Sequence, residues 1–306
     1  MDKVIRIGTR ESQLAVWQAN QVKDLLQQYG YASELVYIKS EGDTDLKTPL
    51  YEIGVQGIFT RALDIALLNG QVDIAVHSMK DVPTIMAKGI VQAAVLPRAS
   101  YKDILVPPPG MQFETSGNKP GTIATSSIRR KAQWLNRYPG TAIENLRGNV
   151  NTRLRKVAES NWDGAIFAAA GLERIDLRPD NAVELDWMLP APAQGAIIVV
   201  CREGDTPYLD ASAHFHDEDT ALCTAIERDF LRTLLGGCST PISGLAEVSG
   251  DNVTFRGNIL SKDGVQKKDV AMTCDKALAQ NLGCAAAEEL LGNGGREILA
   301  LFKNEQ

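Results

Sequence analysis

The sequence is poor in the residues that carry most metal and acid–base chemistry. It has three histidines (His77, His214 and His216) and five cysteines (Cys201, Cys223, Cys238, Cys274 and Cys284), and no two cysteines form a CxxC pair. An odd, scattered set of thiols argues against a disulfide framework or a zinc cluster, so no metal centre is expected. Aromatic residues make up only 6% of the chain. No apolar run reaches the about 18 residues that a membrane-spanning helix needs, so no membrane role is expected. The opening Met1-Asp2-Lys3-Val4-Ile5-Arg6 runs straight into a strand-like segment. It shows no basic leader with an apolar signal core, and a cytoplasmic protein is therefore expected.

What is present is an ordinary globular composition, 44% hydrophobic and 23% charged, over 306 residues. Disordered, collagen-like and coiled-coil classes are excluded on that composition. A chain of this length suggests two or three domains with ample core. The net charge is −6, which argues against bulk affinity for nucleic acid. Its distribution says more. Residues 121–160 hold eight basic side chains (Arg129, Arg130, Lys131, Arg137, Arg147, Arg153, Arg155, Lys156) and two acidic ones (Glu144, Glu159), a local +6 that leaves −12 elsewhere. A cationic patch on an acidic protein points to an anionic ligand of small or modest size.

Strand and helix signals alternate along the first hundred residues. Lys3–Gly8, Glu34–Lys39, Val72–Val76 and Ile90–Leu96 read as strands, and a helix capped by Ser12 and another over Thr60–Leu68 lie between them. This pattern predicts a parallel α/β sheet. Pro107-Pro108-Pro109-Gly110 reads as a breaker and candidate linker. A second α/β unit follows, with strands at Thr122–Ala124, Ala142–Leu146 and Gly164–Ala168 and helices at Ile128–Tyr138 and Asn149–Ser160. Ala196–Cys201 is a buried-strand run placed to return to the first unit. The remainder, with a helix over Thr220–Leu235, strands at Leu245–Val248 and Val253–Leu260 and a helix over Ala277–Leu291, reads as a small α+β domain. The expected domains are 1–100 with 196–216, then 101–195, then 217–306.

Ligands of parallel α/β sheets gather at the carboxyl ends of strands. There the sequence places Gly8-Thr9-Arg10-Glu11-Ser12, His77-Ser78-Met79-Lys80-Asp81, Thr125-Ser126-Ser127-Ile128-Arg129-Arg130 and Leu146-Arg147-Gly148. Helix starts bind anions through free backbone N–H groups, and arginine forks match carboxylates. A capped helix with a solvated basic face explains any one arginine equally well. The recurrence in two units makes an anion cleft a serious alternative. Asp81 is a candidate for stabilising positive charge on a substrate, whereas His77 fits a structural hydrogen-bonding role better. Cys238 follows Gly236-Gly237 in what reads as an exposed loop and is a candidate nucleophile.

Taken together these motifs resemble the hydroxymethylbilane synthase, or porphobilinogen deaminase, family. The resemblance runs in order from Ile7–Ser12 through His77–Pro83, Thr125–Arg130, Leu146–Arg153, Ala168–Leu172, Leu189–Gly195 and Gly236–Cys238. It implies a transferase of tetrapyrrole (porphyrin, heme) biosynthesis that joins four porphobilinogen molecules head to tail with loss of ammonia. It implies a dipyrromethane cofactor joined by a thioether to Cys238, and a catalytic carboxylate at Asp81. Cofactor and substrate binding would fall to Arg10, Ser12, Lys80, Thr125, Ser127, Arg129, Arg130, Arg147, Arg153, Arg174 and Gln194. The implied fold is α/β: two periplasmic-binding-protein-like α/β domains with a central cleft, plus a small α+β C-terminal domain. A monomer is expected, with porphobilinogen as its small-molecule partner. Each pyrrole carries an acetate and a propionate, so the +6 segment suits a growing polyanion.

The chain departs from the family pattern in places. Gly54-Val55-Gln56-Gly57-Ile58-Phe59 has Gln56 where the family commonly has lysine, and Pro192-Ala193-Gln194-Gly195 replaces Val-Gly-Gln-Gly. A solute receptor or the effector domain of a regulator would share the fold. The first would need an export signal, the second a DNA-binding element, and neither is read here. A cysteine-dependent acyl transferase lacks a well-placed histidine base.

Overall fold

The computed structural model describes residues 3–39, 60–113, 121–234 and 240–303. They fall into two compact units. One joins the described residues before Tyr101 to Gln194–Ala221, and the other joins Tyr101–Ala193 to the described residues from Leu222 onward.

The first unit is built on a five-stranded sheet ordered β2-β1-β3-β10-β4. Its strands are β1 (Ile5–Thr9), β2 (Ser33–Tyr37), β3 (Ile74–Ser78), β4 (Ile90–Val95) and β10 (Ile197–Arg202). β1, β2 and β3 are parallel, with Ile7 opposite Leu35 and Ile74. β10 runs antiparallel between β3 and β4. The return of 196–201 to the first sheet thus agrees with the sequence, but the sheet is mixed rather than wholly parallel. Helix α1 (Gln13–Gln28) begins where Ser12 accepts a hydrogen bond from the Ala15 N–H, and it buries Ala15, Gln18, Ala19, Val22 and Leu26. Such a cap is worth about 1 kcal/mol. Its apolar stripe joins Ile5, Ile7, Ile74, Val76 and Val199 in one core. Helix α2 (Arg61–Leu68) packs near the same sheet.

The second unit contains an equivalent sheet ordered β7-β6-β8-β5-β9. β6 (Thr122–Ala124), β7 (Ala142–Glu144) and β8 (Gly164–Ala168) are parallel, and β5 (Asp103–Val106) is antiparallel to β8 and to β9 (Val183–Glu184). In both sheets the reversed strand holds the fourth place. The two sheets thus share one strand plan, in keeping with the two α/β domains expected from the sequence. Pro107–Gly110 is not a linker: it closes β5, which already belongs to the second sheet. Helices α3 (Ile128–Arg137) and α4 (Val150–Glu159) follow β6 and β7, each N-capped by a side chain, Ser127 and Asn149 respectively.

The C-terminal part of this unit is an antiparallel sheet, β11 (Ile242–Ser249), β12 (Asn252–Leu260) and β13 (Lys267–Asp275). Phe230, Phe255, Ile259 and Leu290 form its core. The Phe230 and Phe255 rings lie 4.8 Å apart, and such a pair contributes about 1 kcal/mol beyond its burial. The final helical signal is a chain of shorter pieces: Lys276–Asn281, Leu282–Leu290 and, after a break at Gly294, Arg296–Lys303.

Candidate functional site

β1 and β3 are adjacent and parallel, so the residues that follow them leave the first sheet along one edge. Arg10 and Ser12 follow β1. Lys80 and Asp81 lie on a single turn, Met79–Asp81, directly after β3. The turn is anchored from below. The Met79 N–H donates to Ala196 O at 3.0 Å, and Ser78 Oγ accepts from Gln18 Nε2 at 2.8 Å. Because β10 is antiparallel, its approach through Gln194 and Gly195 reaches the same edge. Lys80 Nζ therefore donates to Gln194 Oε1 at 3.4 Å across 114 residues of sequence. Gln194 is 1% exposed, and its carbonyl accepts from Arg98 Nε at 2.9 Å. Gly195 has φ 88°, and a Cβ there would lie 2.7 Å from the carbonyl oxygens of Ala99 and Ser100. Only glycine fits that conformation and that approach.

Asp81 is half-buried, and its carboxylate has no hydrogen bond or ion pair with another described residue. His77 is buried, and burial followed by the nearby Arg10 charge holds its imidazole down at about 3. It is neutral at ordinary pH, which suits the structural role read from the sequence.

In the second unit the residues after β6, β7 and β8 share one edge in the same way. Thr125 Oγ1 accepts from the Ser127 N–H at 3.2 Å. Ser127 Oγ accepts from the Arg130 N–H at 3.4 Å. Ser126 Oγ donates to Asn145 Oδ1 at 2.5 Å. Arg147 is 3% exposed, and its carbonyl accepts from Lys156 Nζ at 3.1 Å. The turn into α4 passes through Gly148 at φ 114°, where a Cβ would lie 2.7 Å from Thr152 Cγ2. Arg153 is half-buried on α4. Arg174 ends the short helix α5 (Ala169–Glu173), and burial lowers its guanidinium to about 10 despite Glu173 beside it.

Arg129 and Arg130 do not form a solvated basic face. They are 5% and 7% exposed, and both bind Asp103, the first residue of β5. Arg129 Nη1 donates to Asp103 Oδ2 at 2.7 Å. Arg130 donates to Oδ1 from Nη2 at 2.7 Å and from Nε at 3.1 Å, and its Nη1 reaches Ile166 O at 2.9 Å. Burial pushes the Arg129 guanidinium below its ordinary value, and Asp103 opposes that. The +6 counted over 121–160 thus omits a carboxylate set between two of its cations. Sequence reading missed Asp103. The available signal was a lone acid opening the otherwise apolar Asp103-Ile104-Leu105-Val106. The bond between Gln18 and Ser78 was missed as well, both residues being neutral and separated by 60 residues.

The structure thus joins Lys80 to Gln194 in one unit, and Thr125 to Ser127 and Arg129 to Arg130 in the other. Arg147, Arg153 and Arg174 lie on separate segments of the second unit. Cys238 and Gln56 lie outside the described residues. Cys201 is fully buried, and burial followed by Asp205 pushes its thiol up to about 11, which makes it inert. Among the described residues, no group of three or more His, Cys, Asp or Glu could hold a metal ion, and no helix is long and apolar enough to cross a membrane.

Residues 5–210 match the family model for the porphobilinogen deaminase dipyromethane cofactor binding domain, and residues 221–292 match that for the porphobilinogen deaminase C-terminal domain. The chain belongs to the porphobilinogen deaminase family. It is 42% identical to the porphobilinogen deaminase of Syntrophotalea carbinolica over 97% of this chain and 95% of that one. It is 41% identical to that of Geobacter metallireducens over 97% and 94%. It is 40% identical to the chloroplastic porphobilinogen deaminase of Pisum sativum over 95% and 82%. Among solved structures, a nutrient binding protein from Burkholderia cenocepacia aligns at TM-score 0.42 and 13% identity, covering 69% of this chain and 90% of that one.

A porphobilinogen deaminase cofactor domain binds a dipyrromethane, whose side chains are carboxylates. The donors of the second unit fit that chemistry. Arg129 Nε is buried without an acceptor, and a carboxylate oxygen would supply one. The Thr125 and Ser127 hydroxyls accept backbone N–H groups and keep their own protons to donate.

Proposed function

We propose that this chain joins four porphobilinogen molecules head to tail, releasing ammonia and giving hydroxymethylbilane, with Asp81 as the catalytic carboxylate and Cys238 as the attachment point of the dipyrromethane. When bound, that group supplies a free α-carbon as nucleophile and a tether for the growing chain. The observation that carries the reading is the Asp81 turn. Its carboxylate stands at a strand end, uncommitted to any described partner, on a backbone anchored by Ala196 and by the Ser78–Gln18 bond. Asp81 accepts the pyrrole N–H of the incoming substrate and stabilises the positive charge that develops as ammonia departs. Lys80, held by Gln194, and Arg10 bind carboxylates of the substrate, and the Ser12 hydroxyl adds a donor.

In the second unit, Thr125, Ser127, Arg129, Arg130, Arg147, Arg153 and Arg174 bind the acetate and propionate groups of the rings. The family's cofactor domain model covers residues 5–210 and so takes in both sets. The working division is into three domains, 1–100 with 196–216, 101–195 and 217–306, each with its own sheet. The chain works as a cytoplasmic monomer without a metal. Light scattering tests the oligomeric part, with a solution mass near 33.2 kDa expected.

Intact-protein mass spectrometry tests the whole reading. The purified chain should exceed its sequence mass by two pyrrole units and gain single-ring increments when given porphobilinogen. Cys238→Ser should carry no adduct. A wild-type mass equal to the sequence, unchanged by substrate, would overturn the reading, and so would a normal adduct on Cys238→Ser.

A further inference from the structure

We infer that Gln133 is a positioning residue: its amide fixes the carbonyl that orients Arg129, and it ties that pair to β11, the next strand after Cys238 in the sequence. The inference deepens the proposed function and rests on it for the roles of Arg129 and Cys238.

Gln133 lies on α3 one turn beyond Arg129, on the same face, and is 5% exposed. Its amide pairs with both backbone groups of Leu189. Oε1 accepts from the Leu189 N–H at 2.9 Å, and Nε2 donates to Leu189 O at 2.9 Å. The second proton on Nε2 goes to Ser243 Oγ at 3.0 Å. Leu189 O also accepts from Arg129 Nη1 at 2.7 Å. Two side chains of one helix therefore converge on a single carbonyl. Arg129 Nη1 is aimed by two acceptors, Asp103 Oδ2 and Leu189 O, and Gln133 holds the second of them in place.

Ser243 is fully buried and is the second residue of β11, four residues beyond the last of 235–239. The next residue, Gly244, donates its N–H to Pro190 O at 3.2 Å. Leu189 and Pro190 are thus joined to α3 on one side and to β11 on the other. Only an amide meets all of these demands. The site needs one acceptor for Leu189 N–H and two donors for Leu189 O and Ser243 Oγ. A carboxylate lacks the donors, and a thioether or aliphatic side chain supplies neither donor. Sequence reading passed over Gln133 because a neutral side chain leaves no trace in a charge count.

A residue that merely glued β11 to α3 would give a different signature from one that positions Arg129, and two holoenzyme variants separate the cases. Gln133→Met keeps the size of the side chain and removes all three bonds. Ser243→Ala removes only the bond to β11 and leaves the Leu189 pairing. The expected result is a KM for porphobilinogen raised about tenfold in Gln133→Met, the scale of one lost hydrogen bond, with KM within about twofold of wild type in Ser243→Ala. Intact mass should show a reduced fraction of Gln133→Met carrying the two-ring adduct, and a full complement on Ser243→Ala. Unchanged KM and a full adduct in Gln133→Met would overturn the inference, as would an equal rise of KM in both variants. If Gln133→Met does not fold, Gln133→Glu, which keeps the acceptor and loses both donors, is judged by the same two readouts. A wild-type chain with no adduct would sink the Cys238 assignment, and the KM comparison would still decide the role of Gln133.

Discussion

Asp103→Asn is the sharpest perturbation of the second unit. The side chain is fully buried and accepts three bonds from two guanidinium groups, at 2.7, 2.7 and 3.1 Å. The substitution preserves shape almost atom for atom and removes one negative charge. In the wild type, one carboxylate stands against two cations, so the cluster already carries a net positive charge. In the variant both guanidiniums remain at under a tenth exposure with no counter-ion, and the new amide nitrogen presents a donor to a donor. Removing one partner of a buried pair costs about 3–5 kcal/mol, because the remaining charge is stranded. The two arginines each retain one carbonyl, Leu189 O for Arg129 and Ile166 O for Arg130, which places the expected loss near 3 kcal/mol rather than 5. Equilibrium urea unfolding followed by circular dichroism measures it. Pairing the variant with Arg129→Gln should recover part of the loss, since residues in one network are not additive. A loss below about 1 kcal/mol, or strict additivity in the double variant, would refute the claim that Asp103 holds these cations.

Other consequences follow from the same geometry. Asp81→Ala should lower turnover at least about a hundredfold, the scale of one lost electrostatic stabiliser, while leaving the unfolding midpoint and the covalent adduct intact; a midpoint that falls with the activity would make Asp81 a structural residue. Gly195→Ala should destabilise by about 3 kcal/mol, from the left-handed conformation and the two carbonyl oxygens 2.7 Å from the new Cβ, and a thermal midpoint equal to wild type would contradict it. Asp73, fully buried, takes two bonds from the Arg6 guanidinium and one from its backbone N–H; burial acts to raise its carboxyl, but these bonds outweigh that and hold it well below the ordinary carboxylate range. Its contribution is therefore complete above the unfolded value of about 4 and fades as pH falls toward the lower folded value. Asp73→Asn should accordingly show a shallower loss of stability below about pH 4 than wild type, and parallel acid-unfolding curves would contradict that.

The parts of this molecule that were legible in the sequence are those whose cause is local. Ser12, Ser127 and Asn149 cap their helices as polar residues just ahead of a helical run should, and the residues after β1, β3, β6 and β7 were readable as rim residues because a strand's end is marked by its neighbours. What was not legible depends on pairing across long stretches of chain. β5 and β10 are short apolar runs whose direction is set by the strands they join, and nothing in either run encodes that they lie antiparallel. β13 opens on Lys267-Lys268-Asp269, and the alternation of Val270, Met272 and Cys274 that follows is too brief to separate it from a loop in the sequence alone. The same limit governs the site. The arginines of 121–160 were visible as charge, but their neutraliser lies 26 residues before Arg129, and their geometry depends on an amide that has no charge at all. A window sum therefore overstates how much cation is free to meet a ligand wherever a buried acid sits outside the window. Here the correction is one carboxylate shared by two arginines, and it leaves Arg129 with a guanidinium fixed through Nη1 and one buried, unsatisfied Nε rather than a mobile surface charge. Preorganised in this way, the guanidinium loses little freedom when a carboxylate arrives. Holding a pyrrole oligomer then relies on fixed donors such as this one as well as on long-range attraction, so its grip should weaken less with added salt than a solvated patch of the same formal charge.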